Sequence, residues 1–305
     1  MAVLHGFVLL AVIIGIGWAG ARVGWFGQAE QRMLALLTFR VGSPALLFTV
    51  IADSDRSVIL SDFLGATVIG VVVAAAFYML TARLLWRRRA THLIVGGMAV
   101  SYVNTVNLGV PIAAYVLGDA TLSGPMVLFQ LFVLQPLWLA SLDVAGGAGT
   151  GWGRMVLRPL TNPLTLGSLA GLVVLLTGVQ LPAMVRDPVD VVAGLAIPTM
   201  LIAFGISLRF APRPGQGGTG GELVLVVLAK LVVMPLATAL VGHYLLGLDH
   251  QALVAATVIA ALPTAQNVFL LAVVYRRGEG LARDAVTLTT LLALPAILVT
   301  VGLLG

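Results

Sequence analysis

Cysteine is absent from this 305-residue sequence, which excludes disulfide bonds, thiolate nucleophiles and cysteine-ligated metal sites. Charged residues are also scarce, because Asp, Glu, Lys and Arg make up only 10% of the chain. A soluble domain needs far more charge to cover its surface. What remains is apolar: 60% of the residues are hydrophobic and the mean hydropathy is +1.08. The composition predicts an integral membrane protein in contact with the lipid bilayer.

Motifs of enzymatic chemistry are missing as well. The four histidines are scattered at the ends of apolar runs and form no HExxH pattern, so no metal site is predicted. The sequence has neither a GxSxG motif nor an ATP-binding motif, and we therefore predict neither an enzyme nor a bound cofactor. The isoelectric point of about 10.2 could indicate a nucleic-acid partner, but the arginines are dispersed among loops, and we expect no nucleic-acid binding.

Long apolar windows separated by charged or Gly/Pro-rich segments follow one another along the whole chain. One bilayer crossing takes about 20 apolar residues. The chain therefore has room for ten crossings with short loops, and we predict an all-α protein with ten transmembrane helices. The windows are 3–21, 33–52, 58–82, 93–117, 122–141, 163–181, 188–208, 222–247, 251–275 and 284–304.

Basic residues are distributed unequally between alternate loops of this arrangement. The odd-numbered loops contain 13 arginines, whereas the even-numbered loops contain only Arg56 and Arg186. Short loops rich in Lys and Arg stay on the cytoplasmic side. The sequence therefore predicts that both termini lie outside the cytoplasm, in a protein of the cell (inner) membrane.

The fourth and ninth windows share a pattern of residues at a constant spacing of 160 positions. The matched pairs are Asn107 and Asn267, Tyr115 and Tyr275, Gly118 and Gly278, and Asp119 and Glu279. Five helices per half is an odd number, so the second half would enter the membrane from the opposite side. We predict two inverted five-helix repeats, residues 1–142 and 162–305, joined by a Gly-rich cytoplasmic linker, 143–161.

Polar residues and prolines interrupt both of these windows. Pro111 cannot donate a hydrogen bond to the carbonyl of Asn107, and Pro263 likewise leaves the carbonyl of Ile259 unpaired. Unpaired backbone in hydrocarbon is tolerated only where protein, water or a ligand satisfies it. We predict that the fourth and ninth helices are broken, that their second halves begin near Pro111 and Pro263, and that the breaks cross at a binding site near the bilayer midplane.

The expected lining of this site comes from both broken helices. Helix N-termini direct N–H groups and positive dipole ends towards a ligand, which favours an anion. The alternative is that the prolines only kink the helices and the amides only hold them together. The predicted substrate-binding residues are Asn104, Asn107, Pro111, Pro263, Thr264, Gln266 and Asn267.

Two basic residues lie inside predicted spans. Arg40 is seven residues into the second window, and Lys230 is at a similar depth in the eighth. Each is expected to extend its side chain to the cytoplasmic surface. The alternative is that one of them faces the cavity as a charge partner of a carboxylate.

The first helix of each half contains one GxxxG pattern. Gly20 with Gly24, and Gly167 with Gly171, have this spacing. Small residues at such spacing allow helices to approach closely. We expect packing within the chain, with a homodimer contact as the alternative.

Several stretches together resemble the auxin efflux carrier family of membrane transporters, over nearly the whole chain. They are "SPALLFTVIAD", "NTVNLGVPIAAYVLGD", "NPLTLGSLAGLVVLLTGVQLP", "AIPTMLIAFGISL" and "LPTAQNVFLLAVVY". The resemblance implies ten helices in two inverted repeats, with crossed fourth and ninth helices. It also implies elevator-type alternating access that carries small organic anions such as malate, malonate or auxin-like acids.

The predicted function is therefore a secondary transporter of small organic anions. A channel or a membrane receptor of the same fold is an alternative, and so is a sodium-coupled organic-anion symporter. The pair Gln266 and Asn267 is similar to the sodium-coupled bile acid transporters, but "AALPTAQN" lacks the carboxylate expected at a sodium site. No titratable group is predicted at the crossover, so the anion gradient and the membrane potential are expected to drive transport.

Overall fold

The structure is a computed structural model that describes residues 2–54, 62–88, 90–146, 162–210 and 220–304. Apart from one isolated bridge pair, these residues contain no β-structure, and the prediction of an all-α protein is confirmed. The helical segments are α1 (Ala2–Arg22), α2 (Gln28–Ala52), α3 (Asp62–Trp86), α4 (Ala90–Ser101), α5 (Thr105–Leu117), α6 (120–146), α7 (Pro163–Thr177), α8 (Ala183–Phe210), α9 (Gly220–Leu245), α10 (His250–Ala260), α11 (Asn267–Tyr275) and α12 (Glu279–Leu304).

Each predicted apolar window coincides with one helix or with a pair of shorter ones. The fourth window contains α4 and α5, and the ninth contains α10 and α11. Within the described ranges, six helices are long and apolar enough to cross a membrane. Helix α6 continues to Gly146, into the predicted linker; residues 147–161 of that linker lie outside the described residues.

Large apolar side chains cover the outer surface of these helices. On α3, Leu80, Leu84 and Leu85 each expose more than 60% of their area. Exposure of so many apolar side chains to water is unfavourable, whereas lipid tails solvate them. The surface therefore agrees with the composition in indicating a bilayer environment.

The contacts divide the chain into two compact units, and each unit takes segments from both halves of the sequence. The first unit comprises Met1–Ile59, Val106–Leu128 and Val156–Pro212. Within it, α1 packs against α8, and α2 packs against α7 and α8. The second unit comprises Leu60–Thr105, Phe129–Met155 and Arg213–Gly305. Within it, α3 packs against α4 and α9, and α10 packs against α9 and α12.

Glycines on α7 allow close helix packing in the first unit. A methyl group on Gly171 would lie 2.6 Å from the carbonyl oxygen of Phe48, and one on Gly167 would overlap the carbonyl of Pro44. The expectation of packing within the chain is confirmed for this motif. In the other motif Gly20 packs closely against the ring of Phe26 within the chain, but Gly24 lies beyond the end of α1 with a φ of +85° and takes no part in helix packing.

Four prolines inside the helices follow wide π-helical turns, whereas Pro188, Pro198 and Pro295 lie within regular α-helix. Proline has no N–H for the carbonyl four residues back. In three of the turns the residue before the proline instead donates to the carbonyl five residues back, as Ser43 does to Thr38, Gln135 to Gln130 and Met234 to Ala229. The turns are Thr38–Gly42 before Pro44, Thr105–Gly109 before Pro111, Gln130–Leu134 before Pro136 and Ala229–Val233 before Pro235.

This geometry corrects one prediction about the broken helices. The second half of the fourth window does not start near Pro111, because α5 begins at Thr105 and passes through Pro111 by means of a π-turn. The interruption lies earlier, at residues 102–104. In the ninth window Pro263 lies within the interruption, 261–266, and α11 begins four residues later at Asn267.

Candidate functional site

The two interruptions, 102–104 and 261–266, meet in the second unit. Val103 and Thr264 form an isolated antiparallel bridge. The N–H of Asn104 donates to the carbonyl oxygen of Pro263 at 2.8 Å, and the N–H of Ala265 donates to that of Tyr102 at 3.0 Å. The two breaks thus satisfy part of each other's backbone hydrogen-bonding capacity, as buried backbone in a membrane protein requires.

Thr264 connects this bridge to two neighbouring helices by hydrogen bonds. Its side chain is fully buried, and its Oγ1 donates to the carbonyl oxygen of Ala99 on α4 at 2.6 Å. Its backbone N–H donates to Oγ1 of Thr289 on α12 at 3.1 Å. A residue predicted to bind substrate therefore uses both its hydroxyl and its N–H to hold the two breaks in place.

Gln130 on α6 holds the first interruption from the other side. Its Oε1 accepts a hydrogen bond from the N–H of Val103 at 2.7 Å, and its Nε2 donates to Oγ1 of Thr105 at 2.8 Å. The side chain is 4% exposed. The buried amide of Gln130 thus accepts from the N–H of Val103, which lies outside any helix, and donates to the hydroxyl of Thr105 at the start of α5.

Two more side chains of α6 reach residues at the end of α4. Nε1 of Trp138 donates to Oγ of Ser101 at 2.9 Å. The hydroxyl of Tyr102 donates to Oε1 of Gln135 at 3.0 Å. The predicted site did not include Gln130, Gln135 or Trp138, although two glutamines in an otherwise apolar span are a usable indication of polar contacts.

Asn104 has unused hydrogen-bonding capacity beside the bridge. Its backbone is fixed by Pro263, yet its side-chain amide makes no hydrogen bond to any described residue, although the residue is only 4% exposed. A buried primary amide offers two donors and one acceptor oxygen. These groups are available to a ligand at the point where the interruptions meet.

The other predicted binding residues differ in their surroundings. Pro263 is buried within the bridge region, Gln266 is exposed, and Asn267 is half-buried as the first residue of α11. Asn107, half-buried, and Pro111, buried, belong to α5 in the first unit. The structure therefore brings together Asn104, Pro263 and Thr264 directly.

The two basic residues inside spans differ from each other. Arg40 lies in the first π-turn of α2 with an exposed side chain. Lys230 lies in the π-turn of α9 with a fully buried side chain. The expectation that both extend to a surface is therefore wrong for Lys230.

A separate group of charges surrounds Glu222 near the start of α9. The Tyr78 hydroxyl donates to Oε1 of Glu222 at 2.7 Å, and Nε2 of His92 lies 3.0 Å from the same carboxylate. Nε of Arg88 is 3.2 Å from Oε2. Glu222 is adjacent to a loop in sequence but is only 1% exposed. The cluster ties α3, α4 and α9 together within the second unit.

We expect Glu222→Ala to destabilise the protein by about 1–3 kcal/mol, because it leaves the buried Tyr78 hydroxyl without its acceptor. Glu222→Gln keeps an acceptor oxygen and should lose less. Thermal unfolding in detergent measures both. The control is Glu30→Ala, which removes an exposed carboxylate that accepts the N–H of Gly27 at the start of α2. Equal unfolding temperatures for Glu222→Ala and the unaltered protein would show that the cluster does not stabilise the fold.

Comparison with known proteins places this chain in a family. Residues 2–142 and 153–301 match the family described as "Membrane transport protein". A Rhizobium meliloti (strain 1021) protein named "Putative malonate transporter" is 26% identical over 313 residues, covering 97% of this chain and 94% of its own length. The Escherichia coli (strain K12) protein named "Uncharacterized transporter YfdV" is 24% identical over 248 residues, covering 76% of each chain.

Proposed function

Because this chain belongs to the membrane transport protein family, the auxin efflux carrier family that its sequence resembles, we propose that it is a secondary transporter of small organic anions. It is an integral membrane transporter and not an enzyme. The substrates we propose are carboxylates such as malonate, malate or auxin-like acids. The name of the Rhizobium meliloti relative supports malonate as the first to be tested.

The observation that carries this proposal is the bridge between the two interruptions, with the unbonded amide of Asn104 beside it. The start of α11 at Asn267 adds a positive dipole end, although the N–H groups of Val268 and Phe269 already donate to Ala265 and Gln266. Amide donors and helix N-termini together suit a carboxylate. Gln266 is assigned to the same site from the sequence alone, and Asn107 and Pro111 remain sequence-based predictions of substrate-binding residues.

We further propose ten crossings in two inverted five-helix repeats. Gly118 and Gly278, which the 160-residue spacing pairs, both lie in the turn that follows a helical segment and have a left-handed φ, of 83° and 58°. The interruptions at 102–104 and 261–266 also correspond at this spacing. Both similarities support an internal repeat. The arginine distribution supports an inner-membrane orientation with both termini outside the cytoplasm.

The division into two compact units supports alternating access of the elevator type. Both interruptions belong to the second unit, so a movement of that unit would carry the bridge and Asn104 together. A transporter of this kind shows saturable exchange, with domain motions on a microsecond-to-millisecond timescale or slower. A channel of the same fold would instead conduct continuously, and a receptor would bind without transport. The GxxxG motif on α7 packs within the chain. The homodimer that was the alternative is tested by measuring the mass of the protein in solution.

The function is tested in two steps on the purified protein. A thermal-shift screen against malonate, malate, acetate and indole-3-acetate identifies the anions that bind, because a ligand stabilises the folded state by RT ln(1 + [L]/Kd). Counterflow of the radiolabelled anion in proteoliposomes then shows exchange. Binding without counterflow would support a receptor, and conduction without saturation would support a channel.

We expect transport to change less than about twofold when sodium is replaced by potassium at zero membrane potential. Residues 102–104 and 261–266 contain no Asp or Glu, whereas a sodium site within hydrocarbon is favoured by a nearby formal negative charge. The measurement is uptake into proteoliposomes with imposed sodium gradients and valinomycin to clamp the potential. Accumulation of the anion that follows the sodium gradient would contradict this expectation and support a sodium-coupled symporter.

A further inference from the structure

Lys230 is the only lysine in the chain, and it lies near the middle of α9, about 15 Å along the axis from Gly220 at 1.5 Å per residue. Its side chain has no exposed surface. The polar contact of its Nζ is Sδ of Met234, at 3.2 Å. A thioether is a weak acceptor and carries no charge, so this contact does not balance an ammonium ion.

Titratable groups on the elements around Lys230 are committed elsewhere or do not pair with it. The π-turn Ala229–Val233 packs against α3, α4 and α12. Tyr78 and His92 bind Glu222, and Asp284 pairs with Arg283. No described carboxylate forms an ion pair with Nζ of Lys230. The titratable residues of these elements and of α9 itself are Asp62, Tyr78, Arg83, His92, Glu222, His243, Tyr244, Glu279, Arg283 and Asp284.

The helices that contact this π-turn also hold the bridge. Helix α4 ends at the first interruption and supplies the carbonyl of Ala99 to Thr264, and α12 supplies Thr289 to the same residue. Lys230 and the bridge thus share two supporting helices within one compact unit. Single π-turns within α-helices are frequent at functional sites.

An unpaired ammonium ion in a low-dielectric interior costs several kcal/mol, whereas a neutral amine does not. A bound carboxylate in the same unit would supply the missing negative charge. On the basis of the proposed function, we propose that Lys230 is the proton-binding group of the transporter. Its amine takes one proton from water when the anion binds and returns it when the anion leaves, so that one proton accompanies each anion.

The proposal makes anion affinity depend on pH in a defined way. If the amine is neutral without substrate and protonated with it, each bound anion requires one proton. The apparent Kd should then rise about tenfold for each unit of pH increase over the range in which the empty site is neutral. Proton movement should accompany anion movement across a proteoliposome membrane in a ratio of one to one.

A single lysine allows its charge to be observed directly. The full-length protein is labelled with lysine carrying ¹⁵N at Nζ, which gives one side-chain signal whose chemical shift separates an amine from an ammonium ion. We expect an amine at pH 7.5 without anion. We expect an ammonium ion at the same pH with a saturating concentration of the carboxylate that gives the largest shift in the thermal screen. An ammonium ion without anion, or an amine with it, would overturn the proposal.

The outcome is separable from a failure of the proposed function, because that failure appears in the thermal screen as the absence of binding by every carboxylate. Lys230→Met provides a second test: it should abolish the tenfold change of Kd per pH unit and the proton uptake that accompanies the anion. The matched control, Arg209→Met, removes one positive charge from an exposed helix end and should leave both unchanged. An unaltered pH dependence in folded Lys230→Met would overturn the assignment.

Discussion

Replacing Gln130 with leucine should reduce the rate of anion transport at least about tenfold. Leucine has a similar size but cannot accept from the N–H of Val103 or donate to Thr105. A buried N–H left without an acceptor costs about 1–3 kcal/mol. About 1.4 kcal/mol already changes a population tenfold. We expect this cost to fall on the bridge between the two interruptions, because Val103 is one of its two members.

Gln135→Leu is the matched control for this substitution. It changes the same residue type on the same helix, but the lost partner is the hydroxyl of Tyr102 rather than a backbone N–H. Transport should fall less than in Gln130→Leu. The measurement is initial counterflow in proteoliposomes, normalised to the amount of folded protein. Equal rates for the two variants would show that the backbone contact of Gln130 has no special importance.

Asn104→Ala should abolish most transport while the protein still folds and inserts. The side-chain amide makes no hydrogen bond to the described residues, so its removal leaves no protein group newly unsatisfied. What is lost is the set of donors available to the anion. Hydrogen bonds to charged groups contribute about 1.5–3 kcal/mol, which corresponds to a loss of affinity of roughly 10- to 150-fold. Calorimetric titration with the carboxylate measures this loss.

A different asparagine supplies the contrast. Asn162 caps α7, and its Oδ1 accepts from the N–H of Leu164 at 2.9 Å. Asn162→Ala should lower stability by about 1 kcal/mol, the usual effect of losing a helix cap, without changing affinity. Asn267→Ala, at the start of α11, should resemble Asn104→Ala. If Asn104→Ala lowers the unfolding temperature but keeps its affinity, the amide has a structural role instead.

The interruptions were predictable because proline and asparagine have local consequences. Pro263 has no N–H to donate within a helix, and the second break includes it. Pro111 was harder, because the same missing N–H can be absorbed by a π-turn when the following residues remain helical. The choice between a break and a π-turn depends on what else contacts the backbone. At residues 102–104 one such partner is Gln130, which is 27 residues away in sequence from Val103, the residue whose N–H it accepts.

Contacts between distant residues account for what the sequence did not reveal. Glu222 is next to a loop in the sequence, yet its carboxylate is buried and is contacted by Tyr78 and His92 from helices more than 100 residues earlier. Lys230 was expected at the cytoplasmic surface because its side chain is long enough to extend there. Packing of α3, α4 and α12 around its π-turn leaves it no such path. Neither outcome follows from periodicity or charge counts.

The π-turns next to the prolines also indicate where single residues were inserted during the evolution of the sequence. A π-turn holds one residue more than the α-helical geometry needs, so it is equivalent to a one-residue insertion. Each residue in an α-helix turns the chain by about 100°. Deleting one residue from Ala229–Val233 while replacing Pro235 would restore a regular helix with the two parts of α9 in nearly the same relative orientation, whereas closing the π-turn without a deletion would turn them by about that angle. Relatives that lack this proline should therefore align with a single-residue gap beside it.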